Sequence, residues 1–296
     1  MKNPIPRVAA VHDLSGYGRS SLTIVLPILS AMGINVCPLP TAVLSTQTDG
    51  FENYVFHDLT EVMEQTVNHW KTLPLSFDCI YSGFLGSPRQ ISILEDLIDH
   101  FQSEDQFITI DPVLGDDGSF YGPMGMEMIE GMKTLVQRAK LITPNYTEAC
   151  FLLDRPFEQE LTMKEAADLL RELASKGPEK VVITSIPLKN NKGINTVMAY
   201  EKDLHRIWKA ETLHIPASYP GTGDIFASVI TGRLLLGDSL PSAIDRAVHF
   251  VSHAIRNTFG HNTPQREGVL MEKSLYQLMT PENMSLCELM EMNELL

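Results

Sequence analysis

Apolar positions along the chain alternate between two periods. Short β-branched or aromatic runs predict strands at Arg7–His12, Ile34–Leu39, Cys79–Ser82, Phe107–Asp111, Leu141–Thr143 and Lys180–Ser185. Between them lie longer stretches with apolar residues at helical spacing. These predict helices at Leu22–Met32 (with Pro27 inside), Thr60–Lys71, Pro88–His100, Gly125–Gln137, Thr147–Leu153 and Met163–Ser175. Asn195–Tyr200 and Arg206–Leu213 predict a hairpin around Glu201–His205. Two long helices are predicted at Thr222–Leu236 and Pro241–Thr258. Strand–helix alternation of this kind predicts an α/β fold, a doubly wound, mostly parallel central sheet with helices on both faces in three α/β/α layers. No Gly/Ser linker, repeat or low-complexity block interrupts the pattern, so one domain over residues 1–296 is expected. The acidic, Met- and Leu-rich tail over 280–296 is expected to be a surface helix or partly disordered.

Composition narrows the function classes. Hydrophobic residues make up 44% and charged residues 20%, an ordinary globular balance. Asp and Glu number 37 against 23 Lys and Arg, giving a net charge of −14. A surface of that sign repels phosphate backbones, so nucleic acid is not an expected partner. A small anion in a locally positive pocket remains compatible with it. The cysteines at 37, 79, 150 and 287 are isolated, with no zinc or redox spacing, which reads as a cytoplasmic chain. The N-terminus has no apolar signal core, and no run approaches the roughly 18 apolar residues of a membrane span.

Ligands of open α/β sheets bind beyond the carboxyl ends of the strands, so the chemistry is sought in the loops there. Pro220-Gly221-Thr222-Gly223-Asp224 opens a long helix. Two glycines let backbone approach a ligand, and the unpaired first N–H groups of a helix attract an anion. Asp224 is placed to take a proton from an attacking hydroxyl, although Asp is also a common helix cap. Asp111 and Asp116 flank Pro-Val-Leu-Gly after a strand and suit a hydrated Mg²⁺ carrying nucleotide phosphates; a turn with solvated acids reads equally well. Asn145 and Glu148 have capping-box spacing, which is compatible with both residues also facing a phosphate–metal site. His12 and Asp13 end the first strand, a place from which either could contact a substrate, although a lone His there is more often structural. The loop after them, through Ser20, fits neither a Walker loop nor a dinucleotide fingerprint. His249 and His253 have zinc-pair spacing without a third ligand.

Taken in order, these loops resemble the ribokinase superfamily, with Gly221–Asp224 as the specific marker, and within it the vitamin kinases of the pyridoxal kinase type. The likeness extends from about Val8 to Thr258 and weakens in the tail. Residues 41–48 (TAVLSTQT) resemble the family's ring-lining segment and 81–87 (YSGFLGS) its S/T-G-Y segment, with Phe84 where Tyr is usual. Residues 111–116 (DPVLGD) resemble its D-P-V-[LM]-G-[DH] stretch, and 181–185 (VVITS) its nucleotide-side strand. The resemblance implies ATP-dependent phosphorylation of the 5′-hydroxymethyl group of a vitamin B6 vitamer. It makes Asp224 the base, and Gly221, Thr222 and Gly223 the anion hole. It places Asp111, Asp116, Asn145, Glu148, Thr184 and Ser185 at ATP, with Asp111 and Glu148 holding Mg²⁺ through water. His12, Ser15, Val43, Ser45, Thr48 and Phe84 would surround the pyridine ring. Residues 114–124 would close over ATP. K⁺ is a candidate second cation, and a homodimer is implied. A hydroxymethylpyrimidine kinase shares the fold, but its first loop usually reads S-G-G-A-G where this chain has Ser15-Gly16-Tyr17-Gly18-Arg19. A sugar kinase would carry an early Gly-Gly motif and a β-lid insertion. A non-catalytic binder on the same fold would have no need of Asp224.

Overall fold

The computed structural model describes residues 4–103, 106–122, 125–279 and 286–290. In chain order the elements are β1 (Arg7–Ser15), α1 (Leu22–Ala31), β2 (Asn35–Leu44), β3 (Phe56–Asp58), α2 (Thr60–Lys71), β4 (Cys79–Ser82) and α3 (Pro88–Phe101). There follow β5 (Phe107–Ile110), β6 (Gly115–Asp116), β7 (Ser119–Phe120), α4 (Met126–Leu135), β8 (Leu141–Ile142), α5 (Tyr146–Leu152) and α6 (Met163–Ser175). The chain continues through β9 (Lys180–Ile183), β10 (Ile194–Glu201), β11 (Arg206–Leu213), α7 (Thr222–Leu235), α8 (Leu240–Phe259) and β12 (Cys287–Leu289). Ten strands form one sheet in the order β12-β11-β10-β9-β8-β5-β4-β1-β2-β3. The central six, from β9 to β2, pair in parallel. The two margins are antiparallel.

Both faces of β1, β4, β5, β8 and β9 are buried, which is why they read as near-continuous apolar runs instead of an in–out alternation. In β1, Ala9 and Val11 join a core with Met63 of α2, Leu94 of α3 and Leu170 of α6. Val8 and Ala10 point the other way, among Ile28 of α1, Val229 of α7 and Ala247 of α8. In β9, Val181 and Ile183 belong to the first core and Val182 to the second. Helices cover both faces, as the alternation predicted.

Four segments differ from expectation, all for tertiary reasons. First, β1 and β2 run past their predicted ends to pair Leu14 with Val43 and Ser15 with Leu44, beyond a register shift between His12 and Leu14. The shift sets two β2 residues, Thr41 and Ala42, against Asp13 alone, so the bulge lies in β2 opposite Asp13. Second, β3 is an unpredicted edge strand with all three residues exposed, paired with β2. Third, the expected closing loop contains the small β6–β7 ribbon; its last residues, 123 and 124, lie outside the described residues. Fourth, the tail is neither helix nor disorder at 287–289: β12 adds to β11, with Trp208 opposite Leu289. The rest of the tail, 280–285 and 291–296, lies outside the described residues. No helix among the described residues is long and apolar enough to cross a membrane.

Candidate active site

The order of the sheet reverses beside β1, which has β2 on one side and β4 on the other. The carboxyl ends of the parallel strands at such a switch point are where an open sheet leaves a crevice. The first group there is built around the start of α7. Gly221 has φ +82, and a Cβ on it would stand 2.4 Å from the Arg19 carbonyl oxygen. The chain's own backbone therefore demands glycine at 221. Gly223 is different, because a Cβ there would meet no atom within 4 Å. No side chain caps the helix start, and the Thr222 hydroxyl donates backward to the Tyr219 carbonyl at 3.2 Å.

Asp224, in the first turn, is half-buried and accepts a hydrogen bond from the Ser21 N–H at 2.9 Å. Burial pushes its pKa up to about 7; the charges of Asp111 and Asp13 add to this, and the Ser21 N–H opposes it. Ser21 Oγ donates to Asp13 Oδ1, and Ser15 Oγ lies 3.4 Å from Asp13 Oδ2. Asp13 is itself buried and raised, chiefly by desolvation.

The second group hangs from β5 and β8. Asp111 is buried, accepts from Thr143 Oγ1 at 2.8 Å and is pushed by burial to about 7. Asn145 and Glu148 do form the capping box of α5. Asn145 Oδ1 accepts from the Glu148 N–H at 2.9 Å, and Glu148 Oε2 from the Asn145 N–H at 2.8 Å. The box reaches further: Glu148 Oε1 accepts from the Leu114 N–H at 3.1 Å, and Asn145 Nδ2 donates to the Gly115 carbonyl at 2.8 Å. The cap thus holds the root of the β6–β7 ribbon. Glu148 stands well above the usual carboxylate range, first through burial and then through the Asp111 charge. Asp116 is exposed and accepts from the Asp117 N–H at 2.9 Å.

Tyr121, just after β7, is 44% exposed, and its phenol is raised by desolvation and then by the charges of Glu148, Asp116, Asp224 and Asp111. Ser21 enters the site without any signal from the motifs, whereas Asp13 was expected as a substrate contact from its place after the first strand and Tyr121 lies in the segment 114–124 expected to close over ATP.

The donor set can be tested for Mg²⁺. Asp111 and Glu148 offer hard oxygens in an acidic, buried setting, as a magnesium ion requires. Among the described residues no three His, Cys, Asp or Glu side chains are grouped to hold a metal by themselves. That fits an ion that keeps most of its water and does not fit an all-protein cage.

The residues expected around a ring are divided by the structure. Val43 and Ser45 lie on the exposed carboxyl end of β2 and the turn after it, and Thr48 is exposed in that turn. Ser45 Oγ accepts from the Val55 N–H at 2.9 Å. Phe84 is half-buried, with its carbonyl accepting from Thr41 Oγ1 at 3.1 Å. His12 departs from expectation: it is wholly buried, packed edge-on to Tyr81 at 4.5 Å, with neither ring nitrogen partnered among the described residues. Burial pushes it down to about 3, so the ring is neutral. It belongs to the floor under Gly83, where a Cβ would meet His12 Nδ1 at 2.3 Å. On the other side Thr184 bridges to Asn145, and Ser185 is exposed in the left-handed region at φ +57.

Known proteins share the family and the fold. The phosphomethylpyrimidine kinase family profile matches residues 26–268. A protein of Bacteroides thetaiotaomicron VPI-5482, described as a phosphomethylpyrimidine kinase and crystallised with pyridoxal, is 50% identical. The match covers 97% of this chain and 100% of that one, with a TM-score of 0.94. The pyridoxal kinase of Lactobacillus plantarum is 28% identical over 93% of this chain and 96% of its own, with a TM-score of 0.85. The pyridoxal kinase of Paraburkholderia xenovorans (strain LB400) is 27% identical over 276 residues, 90% of this chain and 92% of that one.

Proposed function

Because the chain belongs to the phosphomethylpyrimidine kinase family, with pyridoxal kinases among its homologues, we propose that it transfers the γ-phosphoryl group of ATP to the 5′-hydroxymethyl group of a vitamin B6 vitamer. The observation that carries this reading is the end-to-end match, at 50% identity, to a chain crystallised with pyridoxal. The site chemistry supports it. Asp224 accepts the proton of the attacking hydroxyl, and a base poised near 7 does so efficiently at neutral pH. The uncapped N–H groups of Gly221, Thr222 and Gly223 stabilise charge on the moving phosphoryl group, aided by the dipole of α7. Gly223, which the chain's own packing does not require, leaves backbone open to that close approach.

Asp111 and Glu148 would hold Mg²⁺ through water, with Asp116 and Asn145 beside them, and the ion neutralises the ATP phosphates when bound. Thr184 and Ser185 line the nucleotide side. Val43, Ser45, Thr48 and Phe84 offer the ring a surface of mixed apolar and hydroxyl character, and Ser15 holds Asp13 beneath it. Phosphoryl transfer of this kind is mostly positioning and charge stabilisation.

The test is ADP release by the purified protein with Mg·ATP, across pyridoxal, pyridoxamine, pyridoxine, hydroxymethylpyrimidine and ribose. A B6 vitamer is expected to be turned over preferentially. Preference for hydroxymethylpyrimidine would overturn the substrate and keep the roles of the residues. Turnover of none of them would overturn the reading.

A further inference from the structure

The turn that holds Asp224 is anchored from the far end of the chain. Residues 19–21 shape the start of α7 twice: the Arg19 carbonyl packs against Gly221, and the Ser21 N–H binds Asp224. Ser21 has φ +49, a region that a non-glycine residue keeps only when its surroundings hold it there. Local bonds supply part of that hold: the Ser20 N–H donates to Thr23 Oγ1 at 3.2 Å, and Ser21 Oγ donates to Asp13 Oδ1.

The rest comes through the Arg19 guanidinium. Its Nε donates to Glu272 Oε1 at 2.7 Å, and its Nη1 to the Glu267 carbonyl at 3.1 Å. The same C-terminal stretch packs on the turn directly. A Cβ on Gly268 would lie 3.0 Å from the Arg19 carbonyl and 3.3 Å from that of Pro220. It also takes Tyr17 Oη on Glu267 Oε1 at 2.9 Å and Gln47 Nε2 on the Arg266 carbonyl at 2.7 Å.

We propose that Arg19 is a positioning residue: held by Glu267 and Glu272, it fixes residues 19–21 so that the Ser21 N–H keeps Asp224 in place for proton abstraction. The inference rests on Asp224 being the base. Glu272 is 54% exposed and the Arg19 side chain 24%, so the pair is partly solvated and its charge interaction adds little to global stability. Its loss is therefore expected in placement and not in folding.

The groups facing Asp224 are the Ser21 N–H, Asp13 on β1, Asp111 after β5, Tyr81 on β4 and Tyr121 after β7. Only the first is disturbed by replacing Arg19. Losing a hydrogen bond to the carboxylate favours the protonated acid. Arg19→Ala is expected to lower kcat on the order of 10-fold, as small misplacements do. It should leave the KM for ATP within about 2-fold and the melting temperature within about 1 °C, and move the acid limb of the kcat/KM profile upward. Arg19→Lys, which keeps one donor group, should fall between it and wild type. Glu272→Ala, which leaves the turn itself untouched, should move the acid limb the same way by less. An unchanged acid limb and kcat in Arg19→Ala, or a uniform loss at every pH with a lowered melting temperature, would overturn the proposal. If Arg19→Ala does not fold, an unchanged limb in Glu272→Ala does so. Asp224→Asn is measured alongside. Were it to keep turnover, the base assignment would fall and this inference with it. Were it inactive while Arg19→Ala matched wild type, the positioning role alone would fall.

Discussion

The two ends of the same parallel strands handle charge in opposite ways. At the amino ends, carboxylates are neutralised by cations or backbone at the surface. Asp78 accepts the Arg7 N–H at 2.8 Å, Arg138 pairs with Asp99, and Lys180 lies 3.8 Å from Glu201. A cavity of about 570 Å³ opens there, lined by Gln106, Arg138, Lys140 and Glu179 among others. At the carboxyl ends Asp13, Asp111, Glu148 and Asp224 converge, and none forms an ion pair among the described residues. Their partners are hydroxyls and backbone N–H groups, and all four have pKa values pushed upward by burial. Open space alone therefore does not mark the functional end. Buried carboxylates without cationic partners among the described residues distinguish that end, and raised pKa values of this kind cluster at functional sites.

Several measurements break or sharpen this contrast. The largest effect is expected from Asp224→Asn, with kcat lowered about 10²–10⁴-fold while ATP binding persists, the span of a positioned base. Near wild-type turnover would remove Asp224 from the chemistry. Next, Glu148→Gln removes the charge and one of the two acceptors that hold the Leu114 and Asn145 N–H groups. The Mg²⁺ concentration for half-maximal activity should rise roughly 10–100-fold, as for outer-sphere groups elsewhere. An unchanged requirement would leave Glu148 as a cap only.

The third prediction concerns pH. Asp224 must be ionised to act, so kcat/KM should fall as pH drops through about 7. Stability runs the other way. A carboxyl whose folded pKa lies above its unfolded value near 3.8 binds its proton more tightly when folded. Its stabilisation is complete below about 4 and is lost as pH rises through about 7. At pH 8 Asp224→Asn is therefore expected to raise the melting temperature by roughly 2–4 °C, equivalent to about 1 kcal/mol in a chain of this size. A decrease would show that its charge is better solvated than its burial implies.

The smallest effects are local. Thr48→Ala should raise the KM for the vitamer a few-fold more than that for ATP; an equal rise for both would misplace it. At the opposite end Arg138→Ala, breaking a pair with Asp99 at 62% exposure, should cost less than about 1 kcal/mol and leave kcat unchanged.

Much of this was legible from residue order. Apolar period separated strands from helices because the central strands are buried on both faces and the helices on one. The Gly221–Asp224 turn and the Asn145–Glu148 box were legible because their geometry is local, set by residues within one helical turn. Where pairing is non-local the signal was weak. The all-exposed β3 exists only because β2 runs past its expected end, and β12 only because β11 presents an open edge. His12 read as a ligand contact from its place after a strand, yet it lies within the floor, because Gly83 and Tyr81 close over it.

By itself, then, the sequence determined the strand–helix alternation, the helix starts and the residue types at the strand ends. All of these depend on neighbours a few positions apart. Only the tertiary structure decided which carboxylates share one field. Ser21 and Asp224 are separated by 203 positions, and Arg19 and Glu272 by 253. No local pattern encodes such distances. They are set by how the helices pack on the two faces of the sheet, and that packing turns scattered acids into a single site.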